Sequence, residues 1–111
     1  MKSHWKFWCD AKNEKNAGVV LSKLRNSFFL NVVDHTIDPY HKGGYVISLV
    51  AAGRATTWND HIVEVIAAGQ TLGRGWTILG DINDQAEGWS NESNVSGITS
   101  VQWACDMRYG S

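Results

Sequence analysis

Gly75-Trp76-Thr77-Ile78-Leu79-Gly80-Asp81-Ile82 and Ile98-Thr99-Ser100-Val101-Gln102-Trp103-Ala104-Cys105 decide the fold class of this 111-residue chain. Both are short runs rich in β-branched and aromatic residues. In the second, Gln102 belongs to the face expected to stay uncovered, and Cys105 closes an apolar run. A strand of this kind buries one face and leaves the other to solvent, which is the habit of antiparallel sheets. The intervening residues 83–97 are polar and too long for a tight hairpin turn, so they are expected to form a loop.

Working outward, residues 4–9 alternate. Trp5, Phe7 and Cys9 share one face, and His4, Lys6 and Trp8 the other. Residues 10–13 are polar and able to cap a helix, and Ala17, Val20, Leu21 and Leu24 then recur at helical spacing through Arg25. Gly18 weakens that helix by about 1 kcal/mol relative to alanine, so packing must hold it. A second strand is expected over residues 28–33 and a reversing loop over 34–44, which holds the only proline, Pro39, and the Gly43-Gly44 pair. A third strand follows over 45–51. Thr57 and Asp60 match a capping box for a helix from Trp58, whose buried face is marked by Ile62, Val65, Ile66 and Gly69, and Gly73 and Gly75 stop it.

Strand, helix, strand, strand, helix, strand, strand implies one α+β domain spanning residues 1–111. The expected architecture is an antiparallel sheet of about five strands with two helices on one face: a ferredoxin-like βαββαβ unit plus an added C-terminal strand. The uncovered face is expected to carry Lys6, Trp8, Ser48, Thr77 and Gln102, a mix of aromatic and polar groups suited to anchoring a partner.

Charge is distributed unevenly. The chain has net charge −1, yet residues 75–107 hold Asp81, Asp84, Glu87, Glu92 and Asp106 and no lysine or arginine. Residues 1–74 are net positive. Such asymmetry points to a surface whose field suits a cationic partner. Trp89, a large aromatic among these carboxylates, either tucks onto the core or waits for a pocket. The alternative is that residues 83–97 form an ordinary solvated loop. A near-neutral total and the lack of a glycine-aromatic signature argue against nucleic-acid binding. No segment has the length of a membrane span, and the first residues lack the apolar run of a secretory signal, so a cytoplasmic protein without membrane contact is expected.

Six tryptophans, of which four or more are expected in the core, and two cysteines complete the inventory. Cys9 and Cys105 each close an apolar run; reduced buried thiols are expected, with a bridge between them as the alternative. Candidate chemistry is sparse. Asp34, His35, Asp38 and His41 crowd one loop, where they form either a metal or acid-base set or an ordinary solvated turn. His61, beside Asp60, reads as a neutral exposed helical histidine. The glycines at 73, 75 and 80 do not follow a strand and open a helix, so they are no dinucleotide fingerprint. No catalytic residue, metal or cofactor is assigned on these grounds.

A small α/β chain whose Asp81, Asp84, Glu87, Trp89 and Glu92 make an acidic, tryptophan-bearing surface without a catalytic set resembles the bacterial immunity proteins. These neutralise nuclease toxins, including those of contact-dependent growth inhibition systems. The resemblance implies a tight one-to-one complex in which the acidic face, Asp106 included, occludes the basic active site or substrate groove of a cognate toxin. Two other functions are compatible with the residues. One is a regulator or adaptor that uses the open sheet face; the other is a small enzyme using His35, Asp38 and His41.

Overall fold

The computed structural model describes residues 1–81 and 83–107. Ile82, at the end of an expected strand, lies outside them. The first strand, β1 (Lys2–Cys9), alternates as the sequence requires, with Ser3, Trp5, Phe7 and Cys9 buried. Helix α1 (Glu14–Ser27) starts at Asn13, whose side chain accepts the Asn16 N–H at 2.8 Å. Such a cap stabilises a helix by about 1 kcal/mol. Its buried residues are Ala17, Val20, Leu21 and Leu24, the four at helical spacing.

The next strand departs from expectation. β2 is Asn31–Pro39, not residues 28–33. Phe28 and Leu30 are buried without joining a strand. Phe28 stands edge-on to Trp5, ring centroids 5.0 Å apart, so its apolar character serves the core beneath the sheet and not the sheet itself. Most of the expected loop is therefore strand. The chain reverses in a tight turn, where Gly43 N–H donates to Tyr40 O at 2.9 Å, and returns as β3 (Tyr45–Ala52).

Helix α2 (Trp58–Leu72) begins at Thr57, whose hydroxyl accepts the Asp60 N–H at 3.3 Å. Its entry loop is tied down by Glu64, which accepts the N–H groups of Arg54 and Ala55 at 3.0 and 2.5 Å. His61 is not exposed. It is fully buried, because positions 58, 61, 62 and 65 fall on one face of a 3.6-residue helix.

After α2 come β4 (Gly73–Arg74), β5 (Thr77–Asp81), β6 (Gln85–Ser90), β7 (Glu92–Ser93) and β8 (Ile98–Asp106). The expected loop over 83–97 thus holds a full strand, β6, and a short one, β7. The main sheet has six strands in the order β2-β3-β1-β8-β6-β5, every pair antiparallel, and β4 with β7 forms a separate two-stranded ribbon. β3 lies between β1 and β2, so the unit β1-α1-β2 is split by an inserted strand. The C-terminal strand is no appendage; Val101, Trp103 and Cys105, all buried, place it at the centre between β1 and β6.

Both helices cover one face. The apolar residues of α1 and α2 form one cluster with Trp5, Phe7, Ile47, Leu49, Ala86, Val101 and Trp103, which alternation places on a single side of the sheet. Three tryptophans, Trp5, Trp58 and Trp103, are in this core, fewer than the four expected; Trp8 and Trp76 are half-buried and Trp89 is exposed. Cys9 and Cys105 are buried free thiols. Among the described residues no helix is long and apolar enough to cross a membrane.

Candidate interaction face

Among the described residues no helix lies on the other side of the sheet. Register places Thr36, Ser48, Lys6, Gln102, Trp89 and Thr77 side by side across all six strands. The next row reads Asp34, Val50, His4, Ala104, Glu87 and Leu79. Lys6, Ser48, Thr77 and Gln102 thus share the open face as their strand parity implied, with Trp8 opposite Ser100 one row on.

Of the residues expected to bind a partner, Asp81, Glu87, Trp89 and Asp106 come together here. Asp81 and Asp106 both stand opposite Gln85, and Glu87 and Trp89 follow along β6 on the same side. Asp84 sits in the turn joining β5 to β6, its N–H donating to Asp81 O at 3.1 Å. Asp81 is partly committed to that turn, one carboxylate oxygen accepting from the backbone and side-chain nitrogens of Asn83, both at 3.0 Å. Glu92 does not belong to the group. It lies on the β4–β7 ribbon opposite Arg74, outside the main sheet.

The face is banded rather than uniformly acidic. β1 runs through its middle with Lys2, His4 and Lys6, while carboxylates lie toward β5 on one flank and at Asp34 and Asp38 of β2 on the other. The expected continuous acidic surface is therefore one flank of a mixed face. Charged groups from distant parts of the chain alternate across it, which sets register for a partner as well as attracting one.

A cleft of about 640 Å³ opens on this face. Trp8 and Trp89 flank it, Ser100 and Gln102 lie between them, and the β2–β3 turn supplies Tyr40, Lys42 and Gly44. Gly44, with φ of 75°, lets that turn close over the end of β1; a β-carbon there would strike the Cys9 carbonyl oxygen. Ser100 Oγ donates to Asn91 Oδ1 at 2.9 Å, which fixes the amide so that its NH₂ is left to donate. A cleft of this size and mixed lining accepts a few side chains of a partner. A second of about 400 Å³ lies among Lys2, His4, Glu87 and Asp106, with Cys105 beneath it. Burial pushes the Cys105 thiol up to about 12, so it is no nucleophile.

The histidine and aspartate set is not gathered. Alternation along β2 sets His35 opposite Leu49, on the helix side, and Asp34 and Asp38 opposite Val50 and Val46, on the open side. His35 Nδ1 lies 2.9 Å from Arg25 Nη2, and His41 rests against the Tyr40 ring at 4.6 Å. Among the described residues no group of three or more His, Cys, Asp or Glu side chains is placed to hold a metal ion.

Sequence reasoning missed the cleft because Asn91 and the β2–β3 turn join Trp8 and Trp89 only through strand pairing. The signal available was the parity of Trp89 with Glu87 and Gln85, once residues 85–90 are read as a strand. Comparison with protein-family models, curated proteins and solved structures finds no match to this chain.

Proposed function

We propose that this chain is an immunity-type inhibitor, acting in the cytoplasm, that docks its open sheet face onto a basic protein toxin, a nuclease by preference, in a one-to-one complex. One observation carries the reading: Trp89, 43% exposed, stands beside Glu87 and at the rim of the cleft, on a face that no helix covers among the described residues. An exposed indole flanked by carboxylates is the make-up of an interface anchor with steering charges around it. The strand order β2-β3-β1-β8, with α1 and α2 on one side, supports a ferredoxin-like core extended by the β5–β6 hairpin.

The regulator reading uses the same face, and genetics separates the two. An immunity gene lies directly beside a larger toxin gene, and its loss kills only when that toxin is active. The enzyme reading has less support, since His35 and Asp38 leave β2 on opposite sides.

The test is protection of cells that express the product of the neighbouring gene. Replacing Asp84 and Glu87 together by lysine should abolish protection while the protein stays folded, whereas Glu92→Lys should protect as the parent does. Equal protection by both variants counts against the proposal.

A further inference from the structure

The two edges of the main sheet are built differently. β2 has a register shift between Val32 and Asp34, ends in Pro39, and exposes Asp34 and Asp38. A bulge, a proline and charges are the means by which an edge is denied to another strand. β5 has neither bulge nor proline. All five of its residues are exposed, Ile78 at 42% and Leu79 at 51%, and its one charge, Asp81, is at its end. Among the described residues no strand pairs with its outer side. Leu79 faces the open side beside Glu87, and Ile78 faces the helix side. Unpaired backbone groups thus run between apolar side chains on both faces, and a further strand would satisfy the first while burying the second.

We propose that β5 pairs antiparallel with β5 of a second copy of this chain about a two-fold axis at Leu79, joining two six-stranded sheets into one. The order of side chains selects this occupant. In that register Leu79 meets Leu79 of the second copy, Ile78 lies opposite Gly80, which leaves room for it, and the Thr77 hydroxyl stands opposite the Asp81 carboxylate. The contact is isologous, so the Ile78–Gly80 and Thr77–Asp81 pairings each occur twice, with the Leu79 pair once on the axis.

The acidity of this third of the chain does not oppose the pairing. The two Asp81 carboxylates end about 13 Å apart, at four residues of strand rise. That exceeds the screening length of about 8 Å at physiological salt. Moving the axis to Asp81 would set the carboxylates directly opposite each other, which fixes the register against slippage in that direction. On the helix side a cleft of about 450 Å³ borders the strand, lined by Ile66, Trp76, Ile78 and Trp103 together with Gln70 and Arg74, so a buried Ile78 would stand beside apolar side chains within a mixed lining. A five-residue edge is small, and the dimer is expected to be reversible, with a dissociation constant on the order of 100 µM.

Sedimentation velocity of the full chain from about 10 µM to about 1 mM tests this directly, because the range brackets that constant. The parent should shift from monomer to dimer. The double variant Ile78→Lys with Leu79→Lys should associate at least about tenfold more weakly, as charge on an edge does, with an unchanged circular dichroism spectrum. Val33→Lys, on the β2 edge, should dimerise as the parent does. Under mild oxidation Leu79→Cys should cross-link into a covalent dimer, since directly opposed Cα atoms lie about 4.5–5.5 Å apart, within disulfide reach. Val33→Cys should not. A parent that stays monomeric throughout, association that survives the double lysine variant, or equal cross-linking at both edges overturns the proposal. None of these readouts involves a toxin, so the result is independent of the proposed function.

Discussion

The indole of Trp103 lies across Gly88: a β-carbon on that glycine would stand 2.7 Å from Trp103 Cε2. The two residues face each other across the β6–β8 pair. A fully buried tryptophan in the central strand thus takes the space that an inward side chain on β6 would otherwise fill. The inward residues of β6 are accordingly Ala86, Gly88 and Ser90.

Gly88→Ala should therefore destabilise the protein by about 1–3 kcal/mol, the usual cost of overpacking a core. Thermal or urea unfolding measures it. Combining it with Trp103→Phe should give a coupling energy of about 1 kcal/mol or more in the favourable sense, because the smaller ring makes room for the methyl group. Strict additivity would show that the clash relaxes elsewhere.

His61 gives stability a pH dependence of known sign. Its Nε2 lies 3.2 Å from the Lys2 carbonyl oxygen and so must donate. Its buried Nδ1 has no hydrogen-bond partner among the described residues. Burial, more than any other cause, holds the pKa below the usual 6.5, and the amino-terminal charge adds to this; the Lys2 carbonyl and Glu64 oppose it. The unfolded chain therefore takes up a proton near pH 6.5 and the folded one only at lower pH. Stability should fall as pH drops below 6.5 and level off once the folded-state pKa is passed. His61→Gln, which can still donate to Lys2, should flatten that part of the profile. Parallel urea midpoints for the two proteins down to about pH 5 decide the point.

The thiols should be inert in the native state. Cys9 and Cys105 are 4% and 1% exposed, and burial raises the Cys105 thiol to about 12. A thiol reagent should label both only on the timescale of unfolding, and urea should accelerate the reaction by orders of magnitude. Rapid labelling of either without denaturant would contradict this burial.

Tryptophan replacements should divide into two groups. Trp103→Ala, in the core, should cost about 3–5 kcal/mol of stability. Trp89→Ala should leave the unfolding midpoint within about 0.5 kcal/mol of the parent, as surface changes do. If Trp89 anchors the complex, its loss should weaken toxin binding by about 2–4 kcal/mol, seen mainly as faster dissociation. Loss of stability at Trp89 with binding retained would assign it to packing.

Strand β1, both helices and the existence of β8 were legible in the sequence; β1 and α1 bury apolar residues at a regular period, Trp5, Phe7 and Cys9 at two, Ala17, Val20, Leu21 and Leu24 at helical spacing. His61 was also within reach, since it shares the face of Trp58, Ile62 and Val65; its side-chain type masked its position. β2 was misplaced because Phe28 and Leu30 are core residues outside any strand, while an edge strand such as 31–39 buries little and keeps its polar residues.

What the amino-acid order determined alone was the α+β class, the covered and open sides of the central strands, and the acid excess of residues 75–107. Tertiary structure alone decided that residues 85–90 form a strand, because the cue for its inward face is supplied by Trp103 of another strand and not by β6 itself. It also decided that Glu92 leaves the acidic group and that Lys2, His4 and Lys6 divide the face. Charge can be counted along a chain, but which charges become neighbours depends on strand order, and that is set by pairings between residues far apart in sequence.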